Sequence, residues 1–352
     1  MTTMAERRRR TRGMRRSDVL AITGALAASF SITALLYVEL FPGAGPLGVV
    51  VTAYLLFLAL YGVLVSFDEN AAAVRDRLAA AVVHSLAALL LGVLVMVVAF
   101  TAIRGAKALA HSNFFTNDMS RAGPLEPLSV GGITHAAVGT LVEIGIALVV
   151  TVPVAIACAV YLSEVPGRFS RTVRTIVDAM TALPSVVAGL FIYATVILGL
   201  GIEKSGVAAG LALSVMMLPI VIRAADVVLR LVPGPLKEAS YALGASQWRT
   251  VWHVVLPTAR SGLTTAVILG TARGIGETSP VLLTAGFAAS MNTDPFHGPM
   301  TSLPLATFQF VRSPQKAMIA RGFGTATVLL VLVLALFAVA RVIGGSAGRS
   351  SR

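Results

Sequence analysis

Two arginines stand inside long apolar segments of the chain, each with an acidic residue close by. Glu277 follows Arg273 at the fourth position, and Asp226 follows Arg223 at the third. On a helix, Arg273 and Glu277 share one face and can pair, which lowers the cost of burying their charges. A charge inside a membrane span costs roughly 2.5 to 3.5 kcal/mol, so such residues usually face a cavity or a partner. Because a guanidinium binds two oxygens of a tetrahedral oxyanion together, an anion path is the functional hypothesis.

Structural roles are open for the same residues. Arg223 stands nearer the end of its segment and can instead snorkel to the membrane interface. Arg273 stands near the middle of segment 258–285, where the alternative is an interhelical structural ion pair. Nearby glycines permit either close helix packing or an irregular backbone that presents donors to an anion; they are Gly270, Gly274 and Gly276. Glu143 and Asp178 also lie in or beside apolar segments, and we interpret them as structural partners or boundary residues.

The apolar segments predict an all-α polytopic membrane protein. Of the 352 residues, 56% are hydrophobic and 12% are charged, against about 25% charged in soluble domains. The apolar runs reach the roughly 20 residues that a helix needs to cross a bilayer. We predict eight spans, near 18–40, 47–67, 81–103, 133–162, 175–200, 205–229, 258–285 and 325–342. Four prolines are expected to bend their helices: Pro153, Pro184, Pro219 and Pro280.

The distribution of Lys and Arg predicts the orientation of these spans. The basic segments are 1–17, 68–80, 163–174, 230–257 and 343–352, whereas the longer alternate loops 104–132 and 286–324 are sparser. Basic loops stay in the cytoplasm, so both termini are expected there, in the plasma (inner) membrane. The net charge of +12 comes largely from arginines before the first span. We interpret this arm as a cytoplasmic segment that meets anionic membrane lipid, not as a nucleic-acid-binding tail or a cleaved signal.

The segment 233–257 is polar enough to lie outside the membrane and predicts a helix–turn–helix. Pro235 suits a first helical turn, Gly244 a helix stop, and Ser246 the cap of a second helix. The second helix carries an apolar stripe made of Trp248, Val251, Trp252 and Val255. Such an amphipathic hairpin can lie in a partner's groove, or it can rest on lipid with Trp as an anchor.

The same segment resembles the EAA motif, E-A-A-x3-G-x9-I-x-L-P, of the permease subunits of binding-protein-dependent ABC importers. The matching residues are Glu238, Ala239, Gly244, Leu256 and Pro257, with Ser240 and Val254 replacing Ala and Ile. The resemblance implies a coupling helix that docks on a separate ATP-hydrolysing subunit. The sequence itself contains no Gly-Lys dipeptide and hence no Walker A motif, so energy must come from another subunit or an ion gradient.

Three further stretches, 114–141, 272–286 and 301–314, resemble the phosphate ABC transporter permeases of the PstA family. With the motif, the resemblance covers about 81–342, which we take as the permease domain. The segment 18–80 is then an added transmembrane hairpin between the arm 1–17 and this domain, and 343–352 is a cytoplasmic tail. In phosphate permeases, equivalently placed arginines are implicated in the transport path, which favours Arg273, Glu277 and Arg223 as path residues.

The resemblance also implies partners. They are an ATP-binding cassette ATPase dimer, a homologous second permease subunit, and an extracytoplasmic phosphate-binding protein received by loops 104–132 and 286–324. A single EAA motif favours half a channel over a whole one.

Other functions stay open at this point. Sulfate or molybdate could replace phosphate, because arginines do not separate these oxyanions. An ion-coupled secondary transporter would leave the EAA motif unexplained, and no inverted repeat is evident. A membrane-embedded hydrolase ranks last, since no nucleophile-and-base arrangement is present. The five histidines lie far apart and Cys158 stands alone, so we expect no enzyme chemistry, metal or cofactor in this chain.

Overall fold

The computed structural model describes residues 16–40 and 45–345, and every regular element within these ranges is a helix. Seven helices there are long and apolar enough to cross a membrane, and an eighth span arises if one bent helix pair is counted as a single span. The prediction of an all-α polytopic protein is confirmed. Most of the predicted basic arm, the loop at 41–44 and the end of the tail lie outside the described residues.

The chain forms two compact units that divide between Val97 and Val98. The first contains α1 (Arg16–Leu35, continued by a π-helical end, Leu36–Leu40), α2 (Pro46–Ser66) and the beginning of α3 (Ala71–Leu109). Arg77, predicted to lie in a loop, is instead in the early turns of α3, where it bridges Asp18 and Glu69. The predicted domain boundary at 80/81 falls within this continuous helix and stays a prediction.

The second unit contains the end of α3 and all the later helices. These are α4 (Asn113–Thr116), α5 (Thr134–Glu164), α6 (Arg168–Thr181), α7 (Ser185–Ile192, with a π-helical continuation Tyr193–Gly199), α8 (Gly206–Arg230), α9 (Gly234–Ala242), α10 (Gln247–Thr250, with a π-helical turn Val251–Val255), α11 (Leu256–Ile275), α12 (Ser279–Thr284), α13 (Leu303–Val311) and α14 (Lys316–Gly345). Helix α8 is central and packs against α5, α6, α7, α11 and α12. Its small residues Ala208, Ala209 and Ala212 are completely buried, which lets α5 and its other neighbours approach closely.

Two predicted spans are each broken into two helices. The chain turns by 107° between α6 and the α7 segment, so the predicted span 175–200, in which a bend at Pro184 was expected, consists of two helices and not of one bent helix. Pro184 explains the break, because it lacks an N–H and disfavours a helical conformation at the preceding residue. The segment 258–285 is likewise divided into α11 and α12, with Pro280 in the first turn of α12. Pro153 and Pro219, by contrast, lie inside continuous helices.

The last predicted loop, 286–324, is more structured than expected. It contains α13, and α14 begins at Lys316 rather than at 325. Arg321, predicted to lie in the loop, is buried in α14 with 1% of its surface exposed. Its guanidinium donates to the carbonyl oxygens of Glu126, Pro127 and Val130 at 3.2, 2.6 and 2.8 Å. The buried guanidinium is thereby bound to the backbone of the loop at 126–130.

Candidate functional site

The segment 233–257 forms the expected hairpin of α9 and α10. Pro235 lies in the first turn of α9, and Gly244 adopts a left-handed conformation with φ of +79°. The hydroxyl of Ser246 accepts a hydrogen bond from the Arg249 amide at 3.4 Å. The predicted helix start, stop and cap are therefore confirmed, because each depends on interactions a few residues apart.

The second helix of the hairpin does not end where the sequence predicted. From Gln247 the chain runs without a break to Ile275, a stretch of 29 residues. The predicted boundary between a loop helix and a span at 257/258 is wrong. Pro257 has no N–H to donate to the preceding turn, and the π-helical turn at Val251–Val255 lies just where that bond is missing.

The predicted apolar stripe is divided between the interior and the surface. Val251 and Val255 are buried, and Val255 packs in a cluster with residues of α5 and α8. Trp248 and Trp252 remain 67% and 52% exposed, with their rings in edge-to-face contact at 5.6 Å. Of the four residues of the predicted stripe, only the two tryptophans are therefore available to a partner or to lipid.

The EAA-motif residues lie on the surface of this hairpin. Glu238, Ala239, Gly244 and Pro257 are exposed, and Leu256 is half-buried. Sequence reasoning missed Leu243, which is 89% exposed at the tip of the hairpin. Together with Trp248 and Trp252, Leu243 gives the hairpin exposed apolar surface.

Polar contacts attach the hairpin to the end of α5. Lys237 Nζ lies 2.6 Å from Glu164 Oε1, and only 8% of the glutamate side chain is exposed. The Gln247 side chain donates to the Glu164 carbonyl at 2.9 Å, and the hydroxyls of Ser240 and Thr250 join α9 to α10 at 2.8 Å. These contacts join α9 and α10 directly to the end of α5. The sequence contained no signal for this link, because the paired residues are 73 positions apart.

Arg223 does not pair with Asp226. Asp226 accepts from Arg230 at 3.0 Å and Arg174 at 3.2 Å, and so joins α6 to α8. Arg223 Nε lies 3.3 Å from Asp178 Oδ1, with about half of each side chain exposed, 57% and 49%. The predicted role of Asp178 as a partner residue thus has a specific contact.

Arg273 and Glu277 do form the expected pair. Arg273 Nε lies 3.1 Å from Glu277 Oε1, and 56% of the arginine side chain is exposed against 15% of the glutamate. However, Arg273 lies in the last turn of α11 and not near the middle of a span. Glu277 follows the end of that helix, in the break before α12. The predicted mid-span position is wrong because the helix stops at Ile275.

Glycines near Arg273 pack α11 tightly against α8. A Cβ atom at Gly274 would lie 2.6 Å from Met217 Sδ, and one at Gly270 would clash with Val221. Close packing is thus the role of these two glycines, while a Cβ atom at Gly276 would meet only the Arg273 carbonyl oxygen at 4.0 Å. Arg223 is two residues beyond Val221, about 200° around the helix at 3.6 residues per turn. Arg223 therefore lies on the side of α8 that is turned away from α11, the helix that carries Arg273.

Glu143 is the most deeply buried acidic residue in the described spans. It has 1% exposure, and its Oε1 has no hydrogen-bond partner within the described residues. One turn earlier, Thr140 Oγ1 accepts from the Leu303 amide at 2.7 Å and joins α5 to the start of α13.

His135, which the sequence did not single out as a site, is also buried. Across the described ranges, no three His, Cys, Asp or Glu side chains form a group that could hold a metal ion.

The two sparsely basic loops, 104–132 and 286–324, are in contact with each other. Asp118 Oδ2 accepts from the Met291 amide at 2.9 Å, and the Met119 amide donates to the Ala289 carbonyl at 2.9 Å. Hydrogen bonds from the Ser120 hydroxyl and the Met291 amide lower the pKa of Asp118. A polar cavity of about 590 Å³ opens beside this contact, with Asn117 and Arg121 in its wall.

The helical membrane fold and the exposed EAA hairpin define the permease class of binding-protein-dependent importers. A family model described as "Binding-protein-dependent transport system inner membrane component" matches residues 151–345. The chain belongs to this family and, within it, to the phosphate transport system permease proteins named PstA. It is a multi-pass membrane component of a transport system and not an enzyme.

Several curated relatives support this assignment. PstA 1 of Mycobacterium tuberculosis (strain ATCC 25618 / H37Rv) is 41% identical over 250 residues, which cover 71% of this chain and 80% of the relative. PstA of Mycobacterium leprae (strain TN) is 40% identical and covers 68% and 79%. PstA of Yersinia pestis is 33% identical and covers 76% and 90%. A solved structure, an inward-facing conformation of the MetNI methionine ABC transporter, aligns with a TM-score of 0.47 at 23% identity, over 61% of this chain and 94% of that one.

Proposed function

We propose that this chain forms half of the translocation pathway of an ATP-driven inorganic phosphate importer and works by alternating access. The observation that carries the proposal is the hairpin, which exposes the EAA residues yet is fixed to α5 through Lys237 and Glu164. The names of the relatives supply phosphate as the cargo. The family match over residues 151–345 includes Arg273 and Glu277, where an anion would find a guanidinium.

The hairpin is the proposed docking surface for an ATP-binding cassette ATPase dimer. Its contact residues are Glu238, Ala239, Gly244, Leu256 and Pro257, to which the exposed Leu243 and Trp248 add apolar area. Movement of the docked ATPase would reach the permease by two routes. One is the Lys237–Glu164 contact with α5, and the other is the unbroken helix from Gln247 to Ile275. At 1.5 Å per residue this helix is about 40 Å long, and it ends beside Arg273.

Arg273, Glu277 and Arg223 are the proposed path residues. Within the described residues, Arg273 makes its salt bridge through Nε, which leaves the terminal nitrogens to meet two oxygens of a phosphate. Glu277 would keep the guanidinium oriented while the site is empty. Arg223 lies on the face of α8 that is turned away from α11 and Arg273. It would therefore act at a different stage of phosphate passage or from a different side of the path.

The remaining partners and the orientation follow from the same proposal. Both termini would be cytoplasmic in the plasma (inner) membrane, and a homologous second permease would complete the channel. The joined loops around Asp118 and Met291 would face outward and receive a phosphate-charged binding protein. Their mutual hydrogen bonds would provide a preformed surface for it.

Uptake by the reconstituted complex tests the cargo. The chain, its ATPase, partner permease and binding protein are placed in liposomes, and labelled phosphate import is measured against excess unlabelled phosphate, sulfate or molybdate. Unlabelled phosphate should compete fully, whereas the other two should compete weakly. Equal or stronger competition by sulfate or molybdate would assign the permease to another oxyanion.

A further inference from the structure

A basic groove lies between the C-terminal part of α3 and the beginning of α14. It encloses about 390 Å³ and is lined by Phe100, Ile103, Arg104, Lys107, Lys316, Ile319 and Ala320. Three of these residues are cations and none is acidic. Within the described residues, none of the three cations forms a salt bridge. The groove therefore carries uncompensated positive charge beside an apolar surface.

The two helices are held so that these cations converge. A Cβ atom at Gly105 would lie 2.7 Å from the Gly324 amide nitrogen, so the backbones are in direct contact there. The Arg104 guanidinium lies 5.2 Å from the centre of the Phe100 ring and 5.8 Å from that of Phe323. Packing against two aromatic rings limits the orientations of this side chain. Lys316 is the first residue of α14, whose N-terminal end adds partial positive charge.

We propose that this groove binds the phosphate headgroup of an anionic phospholipid. Arg104, Lys107 and Lys316 would contact the phosphate, while acyl chains would lie along Phe100 and Ile103. Ile103 is 74% exposed and Phe100 is 51% exposed, as expected of side chains that face hydrocarbon. Lys and Arg side chains form strong charge-assisted hydrogen bonds to phosphate oxygens. An apolar wall favours a phospholipid over a free phosphate ion, which would gain nothing from it.

Native mass spectrometry of the full-length chain tests the proposal. Detergent-purified protein is titrated separately with dioleoylphosphatidylglycerol, dioleoylphosphatidylcholine and inorganic phosphate. The anionic lipid should bind at least about fivefold more tightly than the zwitterionic one, since each nearby cation contributes on the order of 1 kcal/mol. The triple variant Arg104→Gln/Lys107→Gln/Lys316→Gln should weaken the anionic lipid about tenfold or more. Lys107→Arg/Lys316→Arg should retain it.

A matched variant separates local from general charge effects. Arg121→Gln/Lys204→Gln/Arg312→Gln removes the same charge elsewhere in the second unit and should leave lipid binding unchanged. If the triple variant does not fold, the single changes Lys107→Gln and Lys316→Gln, each at an exposed side chain, should each weaken binding about fivefold. Equal loss in both triple variants would overturn the proposal. So would displacement of the lipid by inorganic phosphate, which would indicate a free-phosphate site.

Discussion

At the scale of single residues, the Arg273–Glu277 ion pair stabilises the fold only weakly, but its guanidinium group is well suited to bind an anion. Exposed pairs four residues apart contribute about 0.3 to 0.5 kcal/mol, and more than half of the Arg273 side chain is exposed. Such a pair adds little to folding. Its position at the end of α11, where the helix stops before α12, leaves the guanidinium accessible to a ligand.

Replacing Arg273 with Ala should abolish phosphate uptake while the complex still assembles. The change removes the donors for a passing oxyanion and leaves the largely enclosed Glu277 without its cation, so a lower melting temperature is expected in a complex that still assembles. Labelled phosphate uptake and size-exclusion chromatography of the complex measure the two effects. Arg312→Ala removes a cation that packs on Phe308 instead and should transport normally. Normal uptake by Arg273→Ala would refute the site assignment.

Asp118 connects the two joined loops through its charge. Because its pKa is lowered, its ionised form stabilises the folded loops. That contribution is fully present above the unfolded value of about 3.9 and is lost as pH falls through the lower folded value. We therefore expect the loop contact to be constant from pH 5 to 8 and to weaken below about pH 4.

Asp118→Asn should loosen the same contact at neutral pH. Amide hydrogen exchange at Ser120 and Met291 should accelerate about tenfold, since hydrogen bonds to a charged acceptor are lost. Asp294→Asn is the control, because Asp294 accepts from Phe296 and His297 within its own turn. Unchanged exchange in Asp118→Asn would mean that backbone contacts alone join the loops.

At the scale of elements, the α9–α10 hairpin depends on a left-handed residue between its helices. Gly244 has φ of +79° and open space around a Cβ atom, so conformation and not crowding requires glycine there. A non-glycine residue in this region costs about 1 kcal/mol. The turn that presents Leu243 and the EAA residues should therefore be sensitive to substitution.

Gly244→Asp should weaken association with the ATPase. The substitution strains the turn and puts a charge on the docking surface, so we expect a loss of about fivefold or more in binding. Gly234→Asp is a matched control, since Gly234 also has open space but no positive φ. Binding affinity for the purified ATPase distinguishes them. Equal effects of both changes would show that charge alone, and not the turn, matters.

The contact between α9 and α5 should matter for coupling more than for docking. Lys237→Met leaves Glu164 in a largely enclosed position without its cationic partner, with the Ser163 hydroxyl still donating to its carboxylate at 3.1 Å. ATP hydrolysis by the assembled complex should persist, while phosphate imported per ATP should fall several-fold. The double variant Lys237→Met/Glu164→Gln relieves the unpaired charge but does not restore the link, so its import should stay low. Restored import in the double variant would assign the defect to the buried charge.

Local features of these elements could be predicted from the sequence, and long-range ones could not. Pro235, Gly244 and Ser246 act within a few residues, so the hairpin was predicted with its correct start and turn. Bends at Pro184 and Pro280 were predicted, but the complete break of 107° and the helix stop at Ile275 were not, since apolar composition does not distinguish one span from two shorter helices. The Arg321 and Lys237 contacts join positions far apart in the chain, where no sequence pattern marks the partner.

At the scale of the whole molecule, the second unit contains the docking hairpin, the paired arginine and the joined loops, and the first unit is an additional helical body. The family match begins at residue 151 and lies entirely in the second unit. The transport account therefore rests on that unit. Its central claim is that energy enters through the hairpin from a separate ATPase.

The dependence of import on ATP hydrolysis tests this claim most directly. Proteoliposomes of the complete system are loaded with ATP, with a non-hydrolysable analogue or with neither, and labelled phosphate uptake is compared with and without an ion gradient. We expect uptake with ATP alone, whatever the gradient. Uptake that is indifferent to ATP and follows the ion gradient would contradict the account and indicate a secondary transporter.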